Sequence, residues 1–187
     1  MVKITIATLF TIFRLCSMPA IVWCTLRGNL SGALVLLVAA CVSDFFDGYI
    51  ARRFNQTSVF GQLLDPVADK VLIVGLFAVV ACTAVLPFSI PPWFFGFVII
   101  KEIAFMGGGA YLYRVYGAEA IRPVYVSKIT TTVQMIFLIW LFVCALAGWH
   151  PQKTYYVFVA VMVLLMGMTI AQYLMRVYNE QKIYEKN

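Results

Sequence analysis

Charge is what this chain has least of. Only 12% of its 187 residues are Asp, Glu, Lys or Arg, 63% are hydrophobic, and mean hydropathy is +0.92. Soluble domains carry about 25% charged residues, so an ordinary water-soluble fold is excluded. Histidine is nearly missing too. The single one, His150, falls in a short loop, which rules out a histidine-based metal site. The five cysteines, Cys16, Cys24, Cys41, Cys82 and Cys144, lie in apolar stretches without CxxC spacing. They read as small buried hydrophobes, not as a zinc or disulfide framework. No Ser/Pro-rich linker, low-complexity stretch or internal repeat divides the chain, so one membrane-embedded domain over residues 1–187 is expected. Lys3 precedes an apolar run, but Arg14 interrupts it and no soluble domain follows. A cleaved signal peptide is therefore not expected.

The long apolar runs supply the architecture. Six stretches, about 8–27, 31–52, 61–86, 93–114, 124–147 and 154–177, each approach the roughly 20 residues that a helix needs to cross a bilayer. Ser31 is the expected N-cap of the second, and Pro87, Pro91 and Pro92 break the chain after the third. An all-α integral membrane protein with six transmembrane helices follows. Lys3, Arg14, Arg52, Arg53, Arg114, Arg122, Lys128, Arg176, Lys182 and Lys186 fall on one side, against Arg27 and Lys153 on the other. The positive-inside rule then puts both termini and the 52–60 loop on the cytoplasmic side. The net charge of +6 suits anionic headgroups and phosphate substrates on that side. Nothing suggests nucleic acid.

Against this background four of the eight acidic residues crowd into 26 positions: Asp44, Asp47, Asp65 and Asp69. Ionisable residues in membrane segments are costly and usually mark a functional site. Asp44 lies eight residues before Arg52, and Asp69 eight after Gly61, so both sit about 12 Å from the cytoplasmic ends of their helices. Asp44 and Asp47 are spaced i,i+3, and Asp65 and Asp69 i,i+4, which puts each pair on one helix face. Helix caps belong at helix ends, and these residues lie two turns inside. Four converging carboxylates need cations to coexist, and hard divalent ions take oxygen ligands and bind phosphates. Such a pocket suits two metal ions serving in-line displacement at phosphorus, with Arg52 at its mouth.

The run Asp44-x2-Asp47-Gly48-x2-Ala51-Arg52-x8-Gly61-x3-Asp65-x3-Asp69 resembles the complete signature of the CDP-alcohol phosphatidyltransferase family. The likeness extends from Thr8–Arg14 (TLFTIFR) to the segment around Lys128 and Gln134. It implies six transmembrane helices, a homodimer, and two Mg²⁺ or Mn²⁺ ions in the aspartate site. The chemistry it implies is displacement of CMP from a CDP-linked lipid, CDP-diacylglycerol, by an alcohol hydroxyl. By resemblance Asp44, Asp47 and Asp65 are metal ligands, and Asp69 is both ligand and general base for the acceptor. Gly48, Ala51, Arg52, Ser58 and Gly61 would form the cytidine and pyrophosphate side, closed from the first helix by Thr8 and Thr11. The membrane implied is a bacterial cytoplasmic or mitochondrial inner membrane, with the active site facing cytoplasm or matrix.

The acceptor must be read from the second half. Lys101-Glu102 stands where family members carry a basic–acidic pair. The glycine run Gly107-Gly108-Gly109 replaces the arginine that relatives using glycerol phosphate tend to place near position 109. The stretch from Arg122 through Lys128 to Gln134 resembles that of eukaryotic-type cardiolipin synthases. Phosphatidylglycerol is therefore the expected acceptor and glycerol 3-phosphate the alternative, with Lys101, Gly108, Gly109, Arg114, Arg122 and Lys128 as acceptor-binding candidates. Two other classes would also place aspartates in a membrane bundle. A divalent-cation transporter has no use for the Gly-x-x-Ala-Arg element, and a membrane prenyltransferase lacks this continuous signature.

Overall fold

The computed structural model describes the backbone of residues 6–54, 59–83, 85–86, 88–116 and 125–184. Side chains are described for 12–43, 70–83, 85–86, 88–112, 114–115, 125–179 and 181–182. Among the described residues the protein is all-helical. The helices are α1 (Ile6–Leu26), α2 (Leu30–Phe54), α3 (Val59–Cys82), α4 (Pro92–Tyr116), α5 (Tyr125–Ala147) and α6 (Gln152–Tyr184). Three contain stretches long and apolar enough to cross a membrane: Pro92–Leu112, Tyr125–Ala147 and Gln152–Asn179. The apolar stretches found in α1, α2 and α3 among the described residues are shorter: Ile12–Leu26, Leu30–Ser43 and Lys70–Cys82.

Helix ends follow local chemistry closely. Gly28 takes φ +75°, its amide bonds the Thr25 carbonyl at 3.0 Å, and the Asn29 amide reaches back to Cys24 at 2.9 Å. This is the glycine-terminated helix end in which a left-handed residue satisfies the last carbonyls. Gly148, at φ +64°, repeats it after α5, with Trp149 N bonding Cys144 O at 2.9 Å. The cap of α2 is Asn29, not Ser31. Asn29 Oδ1 accepts from the Gly32 amide at 3.0 Å, and its carbonyl accepts from Ala33 at 3.1 Å. Ser31 already lies inside the helix, because the tight glycine turn starts α2 one residue earlier. Pro91 caps α4 by accepting from Phe94 and Phe95, and Pro92 takes the first helical position, where a missing N–H costs nothing. Helix α3 ends at Cys82, four residues short of the expected Leu86. The Thr83 hydroxyl and amide both bond the Val79 carbonyl there, at 2.6 and 2.9 Å. At the other extreme α6 runs on to Tyr184. Its 33 residues extend about 50 Å, well beyond a hydrocarbon core of roughly 30 Å.

The chain forms two compact units. One comprises Met1–Ile90 with Met135–His150, the other Pro91–Gln134 with Pro151–Asn187. In the first, α1 packs against both α2 and α3. The Met18 side chain fills the space that a Cβ at Gly75 would need, so glycine there lets α1 and α3 close up. Phe77, Phe137, Trp140 and Phe88 stack in a chain with centroids 5.7–6.3 Å apart. His150 tilts against Phe88, with Nδ1 3.1 Å from the Gly148 carbonyl oxygen. Trp23 and Trp149 are exposed near the ends of α1 and α5, and Arg27 lies 4.5 Å over the Trp23 ring. Tryptophans so placed match the aromatic anchoring of membrane interfaces.

In the second unit α4 packs on α6. Phe105 meets Tyr173 edge-to-face at 5.6 Å, and a Cβ at Gly108 would stand 3.4 Å from the same ring. None of the five cysteines forms a disulfide, but the expected burial holds for one of them. Only Cys144 is buried; Cys16 and Cys82 are exposed. A thiol tolerates lipid as readily as protein, so membrane helices do not force it inward.

Candidate active site

The backbone puts Asp44, Asp47, Gly48, Ala51 and Arg52 on α2, and Gly61, Asp65 and Asp69 on α3. Their side chains lie outside the described residues, as do those of Thr8 and Thr11 on α1 and the whole of Ser58. The helix bounds sharpen the expected register. Asp44 is ten residues before the end of α2 at Phe54, and Asp69 ten after the start of α3 at Val59. Both are therefore about 15 Å from the same interhelical segment. Among the described residues no group of three or more His, Cys, Asp or Glu is placed to hold a metal. The aspartates are not among them. As a donor set, four carboxylates of one segment fit Mg²⁺ or Mn²⁺, which prefer hard oxygen ligands.

Helix α1 adds a residue that charge counting assigns only to orientation. Arg14 is 1% exposed. It lies twelve residues before the end of α1 at Leu26, while Asp44 lies fourteen after the start of α2 at Leu30. Measured from the shared turn, the two differ in depth by about one half-turn. A guanidinium so buried is held by partners, never left alone. Its position in the middle of an apolar helix is the signal available in the sequence. Lys70, next to Asp69, is buried as well and also has a partner.

The second-half candidates separate into two kinds. Lys101 is 0% exposed, and its ammonium is 2.5 Å from Glu102 Oε1. It also donates to Gln134 Oε1 at 2.8 Å, and Gln134 Nε2 donates to Met166 Sδ at 3.6 Å. One layer toward the start of α5, the hydroxyls of Thr130 and Thr169 meet at 3.0 Å. Thr130 Oγ1 also lies 2.7 Å from Val126 O and Thr169 Oγ1 2.8 Å from Leu165 O, so one hydroxyl donates to its own helix while the other donates across to it. The buried polar residues thus tie α4, α5 and α6 together, which satisfies groups that lipid could not. Gln134 enters the sequence reading only through a resemblance; its bond to Lys101 joins positions 33 apart. By contrast Arg114 and Lys128 are exposed, and Arg122 lies outside the described residues. In the glycine run Gly108 serves packing against Tyr173, while a Cβ added at Gly107 or Gly109 would meet nothing within 4 Å.

The family model described as CDP-alcohol phosphatidyltransferase matches residues 4–178. Relatives from Escherichia coli (strain K12), Shigella flexneri serotype 5b (strain 8401) and Shigella sonnei (strain Ss046) are each 30% identical over 158 residues, covering 80% of both chains. All three carry the name CDP-diacylglycerol–glycerol-3-phosphate 3-phosphatidyltransferase. The aspartate signature on α2 and α3, the apolar helices and a match across nearly the whole length agree: the chain belongs to the CDP-alcohol phosphatidyltransferase family, membrane enzymes of phospholipid biosynthesis that transfer a substituted phosphate group.

Proposed function

We propose that the protein transfers the phosphatidyl group of CDP-diacylglycerol to glycerol 3-phosphate, forming phosphatidylglycerophosphate and releasing CMP. The observation that carries the acceptor is the likeness to glycerol-3-phosphate phosphatidyltransferases over 80% of both chains. This replaces phosphatidylglycerol, the acceptor expected from the 122–134 stretch. A short segment on one helix is a weaker guide than a chain-long match, and Gly108, one of the acceptor-binding candidates, packs against Tyr173.

The working protein is one membrane domain over 1–187 with six transmembrane helices, assembled as a homodimer. Its termini and active site face the cytoplasm or matrix. Asp44, Asp47, Asp65 and Asp69 hold two divalent ions, Mg²⁺ or Mn²⁺. When bound, these neutralise the pyrophosphate and the charge on the departing phosphate. Arg52, with Gly48, Ala51, Ser58 and Gly61, receives the cytidine diphosphate portion, and Thr8 and Thr11 close that side. The acceptor hydroxyl forms a bond to the phosphatidyl phosphorus as the bond to the bridging oxygen breaks. CMP departs with that oxygen, and the hydroxyl proton passes to Asp69. Arg114 and Arg122 supply counter-charge for the acceptor's phosphate, and Lys101, fixed by Glu102 and Gln134, anchors the helix that carries Arg114.

The test is CMP release by purified protein given CDP-diacylglycerol with and without glycerol 3-phosphate. Release that requires both substrates and stops in EDTA is expected. Metal flux in proteoliposomes without lipid substrate would instead mark a transporter.

A further inference from the structure

Helix α1 packs against both α2 and α3, and each of the three buries one regular stripe. On α1 the stripe is Arg14, Ser17, Ile21 and Thr25; on α2 it is Ala33, Leu37, Ala40 and Ser43. Both follow the three- and four-residue steps of a single helix face. On α3, Ile73, Leu76 and Val80 do the same. One further step of four carries the α2 stripe from Ala40 to Asp44 and the α3 stripe from Ile73 back to Asp69.

The stripes bring Arg14 level with these aspartates. Arg14 stands twelve residues before the end of α1, and Ser43 thirteen after the start of α2. Across the Gly28 turn the two share one depth, with Asp44 next along. The Met18 side chain, filling the space at Gly75, sets the register of α3 against α1. These helices run the same way, each joined to α2 by a short connection. Arg14 is four residues before Met18, and Asp69 six before Gly75, a difference in depth of about 3 Å. Arg14 is thus level with the deeper aspartate of each pair.

Ser43 supplies an independent observation at the same depth. The hydroxyls of Ser17, Thr25, Thr83 and Thr131 each donate to the carbonyl four residues back, the usual arrangement inside a helix. Ser43 is 7% exposed, yet its Oγ has no hydrogen-bond partner among the described residues. An unmet buried hydroxyl at this level points to a group that completes it. Arg14, which does have partners, presents five donors in a rigid planar fork, enough to serve two helices at once. Lys70, buried near the same level, sits beside Asp69 on α3 and offers a point charge on a flexible stem.

We propose that Arg14 is a positioning residue of the metal site. Its guanidinium holds the carboxylates of Asp44 and Asp69 from below, so that both are aimed before a metal arrives, and the Ser43 hydroxyl joins this floor once the site is filled. The inference rests on the proposed role of the four aspartates as metal ligands. Outer partners that orient metal ligands typically contribute about 10–100-fold to metal affinity or activity.

Mn²⁺ binding to the purified full-length protein tests it, read from the electron paramagnetic resonance of free Mn²⁺ without lipid substrate. Arg14→Lys keeps the charge and loses the fork, so its Kd for Mn²⁺ should rise about tenfold. Its apparent KM for CDP-diacylglycerol, measured at saturating Mn²⁺, should stay at the wild-type value. Ser43→Ala should raise the Kd in the same direction by a smaller factor. Unchanged Mn²⁺ binding in Arg14→Lys overturns the proposal whatever the thermal midpoint, because an arginine that only holds helices together changes stability alone. A raised KM with normal Mn²⁺ binding also overturns it, by putting Arg14 on the substrate. Should Arg14→Lys not fold, Ser43→Ala decides, and unchanged Mn²⁺ binding there overturns the proposal. Wild-type protein that binds no Mn²⁺, or Asp44→Asn protein that binds it equally well, overturns the metal reading and this inference together.

Discussion

The aspartate segment of α2 and α3 and the polar seam of α4, α5 and α6 both place charge inside apolar helices, yet they differ in kind. In the first, four carboxylates stand within 26 residues, a donor set suited to hard divalent ions. In the second, Lys101 meets Glu102 at 2.5 Å and Gln134 at 2.8 Å, so the charge is answered from within the protein. A cluster of like charge is a candidate ligand site; charge answered by a neighbouring helix holds helices together. Buried polar groups alone do not distinguish a site from a scaffold, and their internal balance does.

The sharpest way to break this contrast is to remove carboxylates. Asp44→Asn, Asp47→Asn, Asp65→Asn and Asp69→Asn should each lower CMP release at least about 10²-fold, the scale of losing a general base or more, with the protein still folded in detergent. Two variants of near-normal activity would break the two-metal reading. In the seam the dominant effect should be on stability. Lys101→Met removes the cation facing the buried Glu102 carboxylate and should cost about 3 kcal/mol, read as a lowered thermal midpoint. The double change Lys101→Met with Glu102→Gln should recover most of that loss. A catalytic lysine would show no such recovery.

Arg52 tests the boundary between ligand and membrane charge. Arg52→Lys keeps the charge but loses bidentate phosphate binding, so it should raise the apparent KM for CDP-diacylglycerol while Arg53→Lys leaves it unchanged. Equal effects at both would mean that their charge acts only through the membrane surface. The smallest effect belongs to Thr130→Val. Interhelical hydrogen bonds in membranes average about 0.6 kcal/mol, so its thermal midpoint should fall only slightly and its activity should hold.

Much of this is legible in the sequence, for reasons that differ by region. All six helices can be read to within a few residues at most ends because apolar length and proline or glycine punctuation are local signals. The misplaced cap at Ser31 and the overrun of α3 arise from single side chains, Asn29 and Thr83, that outbid their neighbours for backbone groups. The family is legible because the aspartate signature lies close in sequence at helical spacing. The Lys101–Gln134 and Thr130–Thr169 contacts are not, since 33 and 39 residues separate the partners and periodicity cannot pair one helix with another. Arg14 counts as a surface charge in the sequence for the same reason. Its burial depends on what packs around α1, and a charge tally along the chain cannot see that.

The most direct measurement gives the purified protein CDP-diacylglycerol, Mg²⁺ and both acceptors in one reaction and resolves the lipid products by mass. Phosphatidylglycerophosphate as the dominant product, formed together with CMP and absent from the Asp69→Asn variant, is the predicted result. Cardiolipin as the dominant product would contradict the acceptor assignment and return it to phosphatidylglycerol.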